Sequence, residues 1–230
     1  MKIAIHQPNY LPWPGFFHKM VNADIFVLLD TVQFTKNSWI NRVKIKDELG
    51  RAIWISVPVK EKDVKQLINE KMINDANWAK MHIKIIEQNY RKTMYFNSYF
   101  PQIKNILIKK WDKISDLNIT LINEINKILD INTKLIKSSD LMTSGSSTDL
   151  LINIIEQLNG DVYLSGIGGK NYQDEKKFLQ NHIELKYQNF IIPNYQQAHG
   201  NFISGLSIID MLFNIGKENT KNIISNEDFD

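Results

Sequence analysis

No cysteine occurs in the 230 residues, which removes disulfide staples, thiolate nucleophiles and cysteine-ligated metal from consideration. That absence fits a cytoplasmic protein. No apolar stretch approaches the ~18 residues that a spanning helix needs. The start of the chain also lacks the basic and apolar pattern of a leader, so no membrane insertion is expected. Charge of one sign is not in excess either. The 28 Lys and Arg against 25 Asp and Glu leave a net charge of +3, and the lysines are dispersed among acids. A nucleic-acid partner is therefore not expected. No two histidines have metal-ligand spacing, so no metal is expected. Repeats, low-complexity tracts and linkers are missing as well, and residues 1–230 read as one domain able to bury a substantial core.

What is present is an α/β pattern. Lys2 to His6 is an apolar run that ends in a histidine and enters a loop carrying Pro8, Pro12 and Pro14. Each proline fixes its own φ and biases its predecessor toward an extended form, so the loop is stiff. Phe16 to Val21 reads as a short helix and Asp24 to Asp30 as a second buried strand, making a compact βαβ unit with parallel pairing. Arg42–Lys46 and Ala52–Val59 alternate in period two around Asp47 to Gly50, which predicts a hairpin with one wet face, Lys44 and Lys46 on it.

Residues 77–131 read as an inserted helical layer. Trp78, Met81, His82, Ile85, Ile86 and Asn89 follow helical spacing. So do Ile103, Ile106, Leu107 and Trp111, and then Leu121, Ile122, Ile125, Ile128 and Leu129. The final third returns to α/β order. Strands are expected at Lys134–Ile136, Asp161–Ser165 and Ile183–Tyr187, with a helix near Asp174 to Asn181. Ser146 with Asp149, and Ser207 with Asp210, read as capping pairs at the starts of helices. The last of these runs from Ile208 to Ile215, and Ser225 to Asp230 reads as a frayed tail. The class is a mixed, mostly parallel sheet with a β-hairpin and a helical insertion.

The candidate chemistry lies at strand ends. His6 is either hydrogen-bonded into its loop or a neutral imidazole able to take a proton from a nucleophile. Gln7, Asn9 and Tyr10 share that loop. Asp30 ends the adjacent strand, roughly 5–10 Å away by strand spacing, where it can orient His6, bind a substrate hydroxyl or cap a turn. Gln33 follows it. Asn41 and Arg42 sit beside Trp39. Arg42 has the planar fork that clamps a phosphate or carboxylate, or pairs with Asp47 or Glu48. Ser165-Gly166-Ile167-Gly168-Gly169-Lys170-Asn171 is not a P-loop, because Leu164 stands at the first glycine and Asn171 at the Ser/Thr. A glycine turn between strand and helix still offers backbone N–H groups to an anion, with Lys170, Tyr172 and Asp174 nearby. His199 is a further binding candidate. His82 reads as a core residue.

The block Ile5-His6-Gln7-Pro8-Asn9-Tyr10-Leu11-Pro12-Trp13 through Gly15-Phe16-Phe17 resembles the WbqC-like family. Phe26-Val27-Leu28-Leu29-Asp30, Val32-Gln33-Phe34, Asn41-Arg42, Val57-Pro58-Val59, Tyr163-Leu164-Ser165-Gly166 and Leu206 to Asp210 with Leu212-Phe213-Asn214 extend the resemblance over nearly the whole chain. It implies a place in O-antigen or other surface-polysaccharide synthesis and supplies no catalytic residues. The expected activity is acyl or aminoacyl transfer to the amine of a nucleotide-linked amino sugar. His6 would act as base and Asp30 as its partner, with phosphate held by Arg42 and the Gly166–Lys170 turn. The acyl donor would be an acyl-CoA or a thioester on an acyl or peptidyl carrier protein, with no tightly bound cofactor. Two rivals stand beside it. One is nucleotidyl transfer, weakened because no second histidine occurs between Asn9 and Gly15. The other is a non-catalytic nucleotide-sugar or carrier-binding protein.

Overall fold

The computed structural model describes residues 1–61, 65–75, 77–226 and 229. The strands are β1 (Lys2–His6), β2 (Ile25–Leu28), β3 (Arg42–Lys46), β4 (Ala52–Ser56), β5 (Lys134–Lys137), β6 (Val162–Ser165) and β7 (Glu184–Tyr187). The helices are α1 (Pro14–Val21), α2 (Trp78–Tyr90), α3 (Phe96–Leu107), α4 (Ile114–Ile128), α5 (Ser147–Gln157), α6 (Glu175–Gln180) and α7 (Ile208–Ile224). Five strands form a sheet in the order β5-β2-β1-β6-β7, and β3 pairs with β4 alone. Every pairing in the larger sheet is parallel, and the hairpin is antiparallel.

Burial on both faces explains the apolar runs. Ala4, Phe26, Leu28 and Leu164 point into one core with α1 to α4, the hairpin and the start of α7. Ile3, Ile5, Ile25, Val27 and Tyr163 point into the other, with Leu151, Ile154 and Ile155 of α5 and Phe178 of α6. From β1 the chain winds one way through β2 to β5, then returns past β1 to β6 and β7. Crossovers of one handedness that run in opposite directions lie on opposite faces of a sheet. The two cores follow from that rule.

Several local expectations are corrected. Helix α1 starts at Pro14, which suits a first-turn position whose N–H has no helical partner. Met81 is 59% exposed, and the inward face of α2 instead carries Ala79, Ile83 and Tyr90 alongside Trp78, His82, Ile86 and Asn89. Trp111 lies beyond α3 and donates its indole N–H to the Ile106 carbonyl. Lys46 is not on a wet face. It is 1% exposed, because residues 197–201 cover it and accept its ammonium at Gln197 Oε1 and the Asn201 carbonyl.

The Ser146 hydroxyl makes no capping bond; Asp149 instead pairs with Lys177 of α6 at 2.6 Å. Ser207 does cap α7, accepting from the Ile209 N–H. Asp210 does not cap it and is wholly buried. Helix α7 passes Ile215 after a break at Gly216 (φ 75°), where a Cβ would lie 2.9 Å from the Tyr95 ring. Residues 227, 228 and 230 of the expected frayed tail lie outside the described set. Its Asn226 carbonyl accepts from His18 Nε2 at 2.7 Å, and Phe229 stacks on the His18 ring.

Candidate functional site

The chain leaves β1 in one direction and returns to β6 in the other, so the loops after these neighbouring strands diverge. Ligands of open α/β sheets bind at such a switch point, outside the carboxyl ends of the strands. A cleft of about 420 Å³ opens there, lined by His6 and Gln7 after β1, by Ser165, Gly166 and Gly168 after β6, and by the exposed Tyr172.

His6 ends β1 with its ring edge-on to Phe16, 5.0 Å between centroids. Its Nδ1 lies 3.0 Å from the Gln7 carbonyl. A carbonyl only accepts, so Nδ1 carries the proton and Nε2 keeps a lone pair. Burial, then the nearby charge of Lys19, push the imidazole down to about 3 against a smaller opposing effect of the Gln7 carbonyl. It is neutral throughout the physiological range.

The lining contributed by β6 and its turn is tied down by side chains. Ser165 donates to Gln173 Oε1 at 3.0 Å, and Gln173 donates to the Tyr163 hydroxyl at 3.3 Å. A Cβ on Gly169 would stand 2.3 Å from Ser165 Oγ, so the 3-10 turn Ile167–Asn171 can fold tightly onto β6 only with glycine there.

Lys19 also lines the cleft, although no sequence motif marks it. It is 2% exposed and donates to the Ile5 carbonyl at 2.9 Å. Burial lowers its ammonium to about 7. The signal was present. Lys19 lies three residues after Phe16, hence on the same inward helix face.

The remaining expected residues are elsewhere. Asp30 does not orient His6. It is 2% exposed, and its carboxylate accepts from Ser138 Oγ, Ser139 N and Ser139 Oγ at 2.8–2.9 Å. That pins the end of β2 to the end of β5. Asn9 is buried away from the cleft lining. Tyr10 is fully buried and donates to His82 Nδ1 at 2.8 Å. His82 Nε2 in turn faces the Ser56 carbonyl at 3.2 Å, and burial holds His82 neutral, down to about 4. His82 is thus the core residue it was read as.

Asn41 donates to the Val57 carbonyl. Arg42 neither clamps the cleft nor pairs with Asp47. Its guanidinium lies 4.2 Å over the Trp54 ring, and Asp47 binds Arg51 instead. Lys170 reaches over the Tyr187 ring. Asp174 caps α6. His199 Nε2 donates to the Asn89 carbonyl, and Gln33 lines a separate hollow with Phe34 and Lys71. Most of these side chains are held by partners distant in sequence, which spacing alone does not show. Among the described residues no group of three His, Asp or Glu is placed to hold a metal, and no helix is long and apolar enough to cross a membrane.

Tyr10→Phe is expected to cost about 1–3 kcal/mol of stability, because it strands the buried His82 Nδ1 without a donor. Urea denaturation followed by tryptophan fluorescence measures it. A loss below ~0.5 kcal/mol would mean that the pair is energetically idle.

The family model described as the WbqC-like protein family matches residues 7–222. An uncharacterized protein of Mycobacterium tuberculosis is 35% identical over 220 residues, covering 94% of this chain and 95% of that protein. No solved structure matches the chain significantly.

Proposed function

The chain belongs to the WbqC-like protein family, and from that premise and the cleft at its switch point we propose that it is a transferase of surface-polysaccharide synthesis. It moves an acyl or aminoacyl group onto the amine of a nucleotide-linked amino sugar, and it works in the cytoplasm, where such sugars and their thioester donors are made. The observation that carries the reading is that a neutral His6 and the Ser165–Gly169 turn line one cleft. Its position outside the ends of β1 and β6 is the usual nucleotide position of such sheets.

In the reaction the sugar amine attacks the thioester carbonyl. The C–N bond forms, His6 Nε2 takes the amine proton, and the C–S bond breaks as the proton passes to the leaving thiolate. Side-chain donors at the cleft, Gln7 among them, steady the oxyanion of the tetrahedral intermediate. The donor is an acyl-CoA or a carrier-protein thioester, so no covalent enzyme intermediate is needed. Asn9, Tyr10, Asp30 and Arg42 are assigned no direct part.

The test is incubation of the protein with a panel of nucleotide-linked amino sugars and thioester donors, followed by mass spectrometry and thiol detection. Acylated sugar with stoichiometric free thiol is the expected product. Pyrophosphate release from a nucleoside triphosphate would replace the reading with nucleotidyl transfer, which the same winding of the sheet also accommodates. Tight binding with the sugar recovered intact from every donor would replace it with a carrier role.

A further inference from the structure

The cleft contains a cation with no counter-charge. Lys19 reaches it from α1, beneath the end of β1, and spends one of its three donors on the Ile5 carbonyl at 2.9 Å. Among the described residues no carboxylate lines the cleft, and no carboxylate makes an ion pair with Lys19. A buried ammonium without an anion is costly, and the fold accommodates this one by loosening its proton. The amine faces the glycine turn, since a Cβ added to Gly166 would stand 4.0 Å from Nζ. The other cations that the sequence offers for phosphate are engaged elsewhere, Arg42 on Trp54 and Lys170 on Tyr187.

We propose that Lys19 is the phosphate anchor of the cleft, taking an oxyanion of the nucleoside diphosphate between its ammonium and the Gly166–Gly169 turn. The assignment rests on the reading of the cleft as a nucleotide-sugar site and names the group that holds the sugar's diphosphate. A desolvated ammonium is a stronger partner for a phosphate oxygen than a solvated one, because the interaction grows as the local dielectric falls.

The ligand also supplies the missing charge, so binding must tighten the Lys19 proton. Without a counter-charge that proton is half lost at about pH 7. The other titratable groups lining the cleft are His6, Tyr163 and Tyr172. His6 is already neutral far below that pH, and Tyr163 is raised by burial and stays protonated well above it. Net proton uptake at pH 8 that disappears when Lys19 is replaced therefore reports Lys19.

The experiment is calorimetric titration of the whole chain with uridine diphosphate at pH 8, where the probe is fully ionised, in buffers of different ionisation enthalpy. The expected result is binding with net proton uptake, lost together with at least tenfold in affinity in Lys19→Met. Removing a buried charge leaves that variant folded, which its melting curve checks. Should it unfold, Lys19→Arg decides, since it keeps the charge but cannot lose the proton and is expected to bind uridine diphosphate without uptake. Binding without proton uptake, equal affinity in Lys19→Met, or no binding at all would each overturn the assignment. Uridine diphosphate bound with uptake but no acyl transfer to any sugar would sink the transferase reading and leave Lys19 in place. Transfer with an unaffected Lys19→Met would do the reverse.

Discussion

Asp210→Ala is expected to lower the unfolding free energy by about 3–5 kcal/mol, the cost of removing one partner from a buried charged network. The Asp210 carboxylate is wholly buried and accepts from Tyr90 and Tyr195, each at 2.7 Å. Tyr90 also accepts the Lys46 N–H at 2.9 Å. Gln197 donates to Tyr195 and receives both Ile203 N–H and the Lys46 ammonium. One carboxylate thus joins α7, α2, β3 and the extended segment before α7. Alanine would leave two tyrosine hydroxyls without an acceptor in an apolar setting.

Burial raises the Asp210 carboxyl above its ordinary value, against the two tyrosines and Lys46. A raised acid favours the folded state at low pH, and that contribution fades as pH climbs through the folded value. Asp210→Asn keeps one acceptor, so it is expected to cost less than half as much and to remove this pH dependence. Urea titrations at several pH values read both effects. An Asp210→Ala protein within 1 kcal/mol of wild type would show the network to be dispensable.

His6→Ala is expected to reduce transfer turnover by about 10²-fold, the low end of what a positioned proton acceptor contributes, because an imidazole held near 3 is a weak base. The same histidine makes an independent statement about stability. Its folded value is about 3, against an ordinary 6.5, so between those values only the unfolded chain binds the proton. Stability must fall as pH drops from about 6.5 toward 3, by at most ~1.4 kcal/mol per pH unit for one such group. His82, at about 4, adds a loss of the same sign. In His6→Ala the acid loss should be shallower. Retained turnover in a folded His6→Ala protein would remove the histidine from the chemistry, and an unchanged acid slope would mean that it is not held neutral.

The strands and helices were legible because their signals are local. The unbroken apolar runs of β1, β2 and β6 reflect burial on both faces. The alternation of Val43 and Ile45 with Lys44 predicted the hairpin, and Ile154 and Ile155 marked the inward face of α5. The loop after β1 and the glycine turn after β6 were both read as binding elements, and the fold brings His6, Gln7, Ser165, Gly166, Gly168 and Tyr172 around one cleft.

What sequence spacing could not show was which partner each polar group meets. Asp30, Tyr10 and Lys46 have polarity fit for a site, yet contacts 108, 72 and 151 residues away absorb them. Lys19 looked like one surface lysine among many, and it becomes a buried cation only because α1 lies across the end of β1. Local patterns determined the elements, the α/β class and which loops leave the carboxyl ends of β1 and β6. The winding of the chain to both sides of β1, the cleft it opens, and the burial of Lys19 in that cleft while Arg42 packs on Trp54 were decided by tertiary structure. Hydrophobic period is written along the chain, whereas a polar side chain takes its role from whichever distant group satisfies it.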